Sequence, residues 1–382
     1  MTSTATTQPV TLTSEQEAIA NSVLSNYASG QTQMSIGGLA GTGKTVLARF
    51  LRTQLGSTAC VVAPTGKAAE VLRQKGIPAE TIHSVIYRFV GMVQEKDESG
   101  KPTEHGTPVF DSKMEGEVEI PSVFICDESS MVNKEVYNDL VSQGVPIIWI
   151  GDHGQLPPVG ADPGIMRNPD YVLKTIHRQA AESPIIRLAH AIRNGRNISE
   201  FKGLGDERLG IYERSSIDRI VHFARSRNVD QIICAFNKTR NAINSAYRHS
   251  IGYDDLLCEG DRVICLKNNR RKNIFNGMLF TVRRIIERRP NMIVVDLLDD
   301  CGVPRYAMDI EVAPFGGGIY DVAAIKGEVF DHAYAITAHK SQGSEWPHVL
   351  VVDQPCTQWD MTRWRYTAFT RAKERLTVVK DY

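Results

Sequence analysis

Between a short apolar run, Met34-Ser35-Ile36, and a stretch of helical character from Thr45 to Leu55 lies Gly38-Leu-Ala-Gly-Thr-Gly-Lys-Thr45. This G-x-x-x-x-G-K-[ST] spacing constrains the fold more tightly than any other feature of the chain. Gly38, Gly41 and Gly43 let successive backbone N–H groups, with Thr42 among them, turn inward around an anion at a helix N-terminus. Such a loop needs a strand before it and a helix after it, which commits its surroundings to an α/β unit. Lys44 would reach the β- and γ-phosphates of a nucleotide, and the Thr45 hydroxyl would ligate Mg²⁺.

The neighbouring sequence keeps that rhythm. Cys60-Val61-Val62-Ala63 precedes a second probable helix, Lys67 to Gln74. Val123-Phe124-Ile125-Cys126 and Ile147-Ile148-Trp149-Ile150 are short continuous apolar runs, each ending in an acidic or polar cluster. They read as central strands of a parallel sheet covered on both faces. Ahead of them, Thr13-Ser14-Glu15-Gln16 has capping-box spacing before the helical pattern Ala18, Ile19, Val23, Leu24. Ile86 to Pro121 breaks the alternation, with a polar centre between apolar flanks, and predicts a protruding β-hairpin. Past Arg178 a second α/β pattern appears, with strand candidates Ile232 to Ala235, Ala333 to Thr337, Val349 to Val352 and Leu376 to Val379. Within it, Asp261 to about Phe330 is β-like, with turn signals at Asn276-Gly277 and Cys301-Gly302, and predicts a small barrel-type insertion.

Composition narrows the class further. With 382 residues, 42% hydrophobic and 23% charged, the chain can build two or three ordinary globular domains. Lys plus Arg equals Asp plus Glu at 44 each, so any surface for a polyanion must come from local clustering. The seven cysteines are scattered and never form C-x-x-C, which argues against a disulfide framework or zinc site and fits a reducing cytoplasm. Met1 to Thr7 lacks the apolar core of a signal peptide, and no stretch is long and apolar enough to cross a bilayer.

Asp127-Glu128 closes the run Val123 to Cys126, where a Walker-B pair belongs. Asp127 would hold Mg²⁺ through its water shell, and Glu128 would act as general base on the attacking water. From here the likeness to a family becomes specific. Asp127-Glu128-Ser-Ser-Met131 and Gly151-Asp152-His-Gly-Gln155-Leu-Pro-Pro-Val159 resemble motifs II and III of superfamily 1 helicases. Ala63-Pro64-Thr65-Gly66-Lys67-Ala68-Ala69 resembles motif Ia, and Thr81-Ile-His83-Ser84 the segment that follows it in RecD-like enzymes. Ile176-His-Arg178-Gln179, Thr337-Ala-His339-Lys340-Ser-Gln342-Gly343-Ser-Glu345 and Tyr366-Thr-Ala-Phe-Thr370-Arg371-Ala372 resemble the motif IV arginine region, motif V and motif VI. The motifs run in family order from Gln16 to Arg371, and the chain is identified as similar to the RecD/Dda-like superfamily 1B DNA helicases.

That resemblance implies two RecA-like parallel-sheet domains, the first over 13–172 with a hairpin (pin) at 86–121, after a disordered tail, 1–12. The second would comprise 173–260 and 331–382, interrupted by a small SH3-like β-barrel over 261–330. It implies an ATP- and Mg²⁺-dependent motor, active as a cytoplasmic monomer, that moves 5′-to-3′ on single-stranded DNA and unwinds duplex junctions. ATP would lie in the cleft between the two domains. Gln16 would contact adenine, although the same residue is placed to complete the capping box. Gln155 would sense the γ-phosphate, and Glu345 would lie near the nucleotide. Arg178 and Arg371 would act as arginine fingers, each able to contribute roughly 10³–10⁵ in rate.

Pro64, Thr65, His83, Thr337, His339 and Lys340 are the implied DNA contacts, holding phosphates and sugars rather than reading bases. Phe89 and Phe110 either wedge open the duplex or pack the hairpin onto its own domain. Arg262 to Arg289 holds nine Lys/Arg against the single acid Glu287, and either tracks a phosphate backbone or coats the barrel. Only a short tail precedes Gln16, unlike in RecD itself, which suggests a stand-alone motor. A translocase that strips proteins from DNA with little unwinding, an RNA-directed helicase and a non-catalytic nucleotide-binding module are the competing readings. Lys44, Glu128, Arg178 and Arg371 speak against the last.

Overall fold

The computed structural model describes residues 11–96, 102–112, 120–177, 181–203, 206–213, 215–269, 272–300, 302–316, 322, 325 and 327–380, with backbone alone for 88–112. Two compact units emerge. The first comprises Met1–Pro64, Ala69–Ile86 and Met114–Ala181; the second comprises Thr65–Ala68, Tyr87–Lys113 and Glu182–Tyr382.

In chain order the strands begin with β1 (Gln33–Gly38), β2 (Ala59–Ala63) and β3 (Ala79–Thr81), then the hairpin β4 (Tyr87–Lys96) and β5 (Pro102–Ser112), then β6 (Val123–Cys126), β7 (Ile147–Gly151) and β8 (Tyr171–Leu173). Six of these form the first unit's sheet, in the order β3-β2-β6-β7-β1-β8, every pairing parallel. The central strands β6 and β7 are buried along their whole length, so their alternate residues face two apolar layers and the sequence shows no polar alternation. Helices α1 (Ser14–Ala28), α2 (Lys44–Gln54), α3 (Gly66–Gln74), α4 (Ile82–Ile86) and α5 (Lys134–Val141) accompany this unit, with α3 opening on residues grouped with the second. The expected helix start is realised in full. The Thr13 hydroxyl accepts the Gln16 N–H at 3.3 Å, and Gln16 Oε1 accepts the Thr13 N–H at 3.0 Å.

The second unit contains the hairpin, in which Phe89 and Phe110 are direct cross-strand partners in the backbone register. Their side chains lie outside the described residues. Its parallel sheet is built from β9 (Leu209–Tyr212), β10 (Gln231–Cys234), β16 (Ala335–Thr337), β17 (Trp346–Asp353) and β18 (Ala372–Lys380), in the order β16-β10-β17-β18-β9. Helices α6 (Pro184–Arg193), α7 (Ile217–Ser226), α8 (Asn237–Ser250), α9 (Ala338–Ser341) and α10 (Met361–Phe369) belong with it. The intervening insertion is a five-stranded antiparallel sheet, β14-β13-β12-β11-β15, formed by β11 (Arg262–Cys265), β12 (Leu279–Arg289), β13 (Met292–Asp299), β14 (Pro304–Glu311) and β15 (Phe330–His332). Phe280, Val295, Leu297 and Phe330 anchor its own core.

One expected strand is corrected. The run expected from Ala333 to Thr337 is strand only over 335–337, which join β10, and residues 330–332 just before it pair antiparallel with β11. The short link Ala333-Tyr334 carries the chain from one sheet to the other. At that crossing Asp261, fully buried, accepts the Tyr334 hydroxyl at 2.9 Å, the Cys258 N–H at 2.7 Å and two Arg248 nitrogens at 2.9 and 3.1 Å. Among the described residues no helix is long and apolar enough to cross a membrane. The six described cysteines are free thiols, and burial pushes Cys234 and Cys265 up to about 12.

Candidate nucleotide site

The C-terminal ends of three adjacent strands, β6, β7 and β1, carry the candidate side chains of the first unit. In a parallel sheet the carboxyl ends of the strands frame the crevice where ligands bind. From β1 the chain enters the glycine loop. Gly41 and Gly43 take left-handed φ values of 85° and 80°, which an L side chain adopts only at a cost. Gly43 is the N-cap of α2 and supplies no side-chain cap, so the first N–H groups of the helix remain directed at the loop. A Cβ on Gly43 would fall 2.4 Å from both Gln16 Nε2 and His177 Nε2, and one on Gly38 would fall 2.5 Å from Thr42 Oγ1. A side chain at either position would crowd the cradle, and at Gly43 the left-handed backbone adds to the cost.

Lys44 Nζ donates to Gly38 O at 2.7 Å and Leu39 O at 3.1 Å, and stands 3.4 Å from Asp152 Oδ2. Asp152, at the end of β7, is 1% exposed and also accepts the Gly154 N–H at 2.9 Å and Gln155 Nε2 at 3.5 Å. The predicted phosphate-loop lysine and the predicted γ-phosphate sensor thus meet on one carboxylate. Sequence reasoning quoted Asp152 within its motif but gave it no role.

At the end of β6, burial pushes the Asp127 carboxyl above the usual range, while the Glu128 N–H and the Lys44 charge pull it back. Asp127 Oδ1 accepts that N–H at 2.9 Å. Glu128 itself adopts φ 54° and ψ 35°, a left-handed backbone in a residue with a side chain. Such conformations cost of order 1–3 kcal/mol and cluster where function over-determines the geometry. The donor set suits the expected ligands. Backbone N–H groups and an ammonium suit polyphosphate, and the oxygens of Thr45 and Asp127 suit a hard cation that takes one or two protein ligands. Among the described residues no cluster of three or more His, Cys, Asp or Glu could hold a metal by itself.

Gln16 is 1% exposed and fully engaged. Its Oε1 serves the cap, and its Nε2 donates to Thr42 O at 3.2 Å and contacts His177 Nε2 at 3.1 Å. His177, missed in the sequence reading, also donates its backbone N–H to Gly41 O at 3.0 Å. Its signal was its place beside Arg178; Arg178 itself lies outside the described residues.

In the second unit, Arg371 is buried, and its guanidinium donates to Thr367 O at 2.9 Å, Ser344 O at 3.2 Å and Thr370 Oγ1 at 3.0 Å. Glu345 is exposed, 3.8 Å from Lys373. Thr337 ends β16 and N-caps α9, which carries His339 and Lys340. Burial lowers both of their pKa values, and for Lys340 the nearby Arg240 lowers it further. Lys340 Nζ donates to Asn276 Oδ1 at 2.8 Å. His339 stands edge-on to Trp359, which stacks on Phe236; both aromatics were missed, though Trp359 lies between motifs V and VI. Pro64 and Thr65 follow β2, half-buried, with Thr65 Oγ1 accepting the Ala68 N–H at 3.2 Å, and His83 is exposed on α4.

The basic segment of the barrel is largely neutralised where it is described. Arg262 pairs with Asp300, Lys272 with Glu328 and Asp309, Arg284 with Asp296, Arg288 with Asp255, and Arg289 with Glu287. Arg270 and Arg271 lie outside the described residues.

A family described as AAA domain matches residues 11–212, and one described as UvrD-like helicase C-terminal domain matches 332–379. The ATP-dependent RecD2 DNA helicase of Deinococcus radiodurans is 27% identical over 392 residues, covering 95% of this chain and 48% of that protein. The ATP-dependent DNA helicase dda of Enterobacteria phage T4 is 30% identical over 202 residues, covering 48% of this chain and 43% of that protein. The chain therefore spans about half the length of these curated relatives. In fold, it is similar to Bacteroides Pif1 bound to ssDNA, with a TM-score of 0.58 and 22% identity over 97% of this chain and 92% of that one.

Proposed function

We propose that this chain, a member of the AAA-domain family similar to the RecD2 and dda helicases and to Pif1 in fold, is a superfamily 1B ATP-driven motor that moves 5′-to-3′ along single-stranded DNA and separates duplexes at junctions. The observation that best supports this reading is the meeting of Lys44 and Gln155 on Asp152, beside Asp127 and Glu128 on the next strand. A passive phosphate-binding turn has no need of that second carboxylate layer.

In this mechanism ATP is the substrate, its phosphates held by the N–H groups of Gly41 to Thr45 and by Lys44. Mg²⁺, ligated by Thr45 and through water by Asp127, would neutralise charge on the phosphate oxygens. Glu128 orients the attacking water and accepts its proton. Gln155 registers the γ-phosphate through its amide. Arg178 and Arg371 supply positive charge to the transferring phosphoryl group, which for Arg371 requires exchanging carbonyl partners for phosphate oxygens. Gln16 reaches adenine only if its amide leaves the cap. Pro64, Thr65, His83, Thr337, His339 and Lys340 grip the strand by phosphate and sugar, so movement is independent of base sequence.

The test is ATP-dependent unwinding of two duplexes, one with a 5′ and one with a 3′ single-stranded tail, with Lys44→Ala as control. Unwinding from the 5′ tail alone, lost in Lys44→Ala, is expected. Unwinding from the 3′ tail alone would overturn the polarity, and DNA-stimulated hydrolysis without unwinding would favour the protein-displacing translocase. Stimulation by RNA but not by DNA would favour the RNA-directed reading.

A further inference from the structure

Immediately after the two catalytic acids come Ser129 and Ser130, in a single 3-10 turn, Ser129–Met131. Neither has a role in the proposed chemistry. Both are buried, Ser129 at 1% exposure and Ser130 at 7%. Neither hydroxyl has a hydrogen-bond partner among the described residues, and the same is true of Gln155 Oε1. A buried polar group left unpaired is costly, so its retention calls for an explanation.

The three atoms are complementary in kind. A serine hydroxyl donates and an amide oxygen accepts. They also belong to neighbouring strand ends, since β6 and β7 pair in parallel, with Cys126 opposite Trp149. Ser129 Oγ lies against the backbone of Gly151, where a Cβ would come within 2.6 Å of it. Gly151 is followed directly by Asp152, the residue that holds the other end of the Gln155 amide. That hold is slack, with Gln155 Nε2 3.5 Å from Asp152 Oδ2. A contact at that distance is near the outer limit of a hydrogen bond, and it leaves the amide free to turn.

We infer that Ser129 is a positioning residue of the nucleotide site, whose hydroxyl donates to Gln155 Oε1, directly or through one water, in the hydrolysis-competent arrangement. The inference rests on the nucleotide-hydrolysis reading above. The bond fixes the amide so that its Nε2 faces the γ-phosphate, and it ties the strand end bearing Glu128 to the strand end bearing Gln155. Ser130 stands one residue further on and is the internal comparison, because only Ser129 abuts Gly151 in this way.

The purely structural alternative makes the opposite forecast. Deleting an unpaired buried hydroxyl should leave stability unchanged or raised and activity untouched. Positioning requires that Ser129→Ala, with its melting temperature unchanged or higher, lose about tenfold in single-turnover ATP hydrolysis at unchanged nucleotide affinity. In a double-mutant cycle, Ser129→Ala should cost little more in a Gln155→Ala background, since the two act as one unit. Wild-type hydrolysis by Ser129→Ala, or full additivity with Gln155→Ala, would overturn the inference and leave the nucleotide reading intact. If the parent chain shows no Lys44-dependent hydrolysis, the nucleotide reading fails and the inference fails with it.

Discussion

Asp152→Asn should make the protein bind ADP more tightly, and the size of the gain follows from the site. Lys44 Nζ is 3.4 Å from Asp152 Oδ2, with the two side chains 15% and 1% exposed. At that separation and an effective dielectric of about 20, the bare attraction is about 5 kcal/mol. The net value is smaller. The ammonium keeps Gly38 O at 2.7 Å and Leu39 O at 3.1 Å whatever happens at residue 152. The contact is also longer than the range of about 2.7–2.9 Å in which charge-assisted bonds are strong. About 1.5 kcal/mol is the appropriate scale for such a bond, or roughly tenfold in an equilibrium constant. A bound phosphate competes with Asp152 for the same ammonium and is repelled by the same carboxylate. The near-isosteric amide removes both penalties, and its one oxygen still accepts from Gly154 N, while the NH2 that takes the place of Oδ2 gives up the long contact from Gln155 Nε2. Titration with a fluorescent ADP analogue should therefore give a Kd about tenfold lower for Asp152→Asn, and no such gain in a Lys44→Ala background. Unchanged or weaker binding by a correctly folded Asp152→Asn protein would refute the reasoning. So would an equal gain in both backgrounds, because the effect is assigned to the lysine.

Two further predictions concern the root of the barrel. Asp261→Ala strands the buried Arg248 guanidinium and deprives Tyr334 and Cys258 N of their acceptor, so urea unfolding should show a loss of about 3–5 kcal/mol, whereas Asp261→Leu paired with Arg248→Met should recover most of it. A loss below about 1 kcal/mol in the single variant would contradict the network. His332, buried and then further disfavoured as a cation by Arg248, is pulled down to about 4. The unfolded chain binds a proton near pH 6.5 and the native one only near pH 4, so stability is full above about 6.5 and falls by up to about 3 kcal/mol as pH drops to about 4. His332→Asn should flatten that limb of the stability–pH curve, and an identical slope would exclude His332 as its source.

The elements that could be read from sequence are those whose burial leaves a one-dimensional trace. β6, β7 and β10 are covered on both faces, so their apolar runs are unbroken and stand out against polar flanks. β3, β8 and β9 escaped because they are short and only partly covered, and an edge strand of a few half-buried residues has neither an unbroken run nor clean alternation. The late start of the strand expected from Ala333 escaped for another reason. The sequence runs from Phe330 to Thr337 without a turn signal, and only the partner strands show that 330–332 belong with β11 and 335–337 with β10. The barrel's basic run misleads in the same way. Its counter-charges Asp255, Asp296, Asp300, Asp309 and Glu328 lie outside the run from Arg262 to Arg289.

At the candidate site, the motifs name the side chains that come together but not their wiring. The glycine loop and the acids at the end of β6 are local patterns whose spacing is itself the geometry. The Lys44–Asp152 and Gln16–His177 contacts join residues more than a hundred positions apart, and no spacing encodes them. Gln16 shows how two local rules can both hold. The cap fixes which end of its amide is oxygen, because the Thr13 N–H can only donate. The nitrogen must then face His177 Nε2, which has to be the acceptor, so in this arrangement the imidazole carries its proton on Nδ1. A capping residue thereby sets the tautomer of a histidine on the other side of the phosphate loop. Any role for Gln16 toward a base has to break a cap, a loop contact and an imidazole contact together.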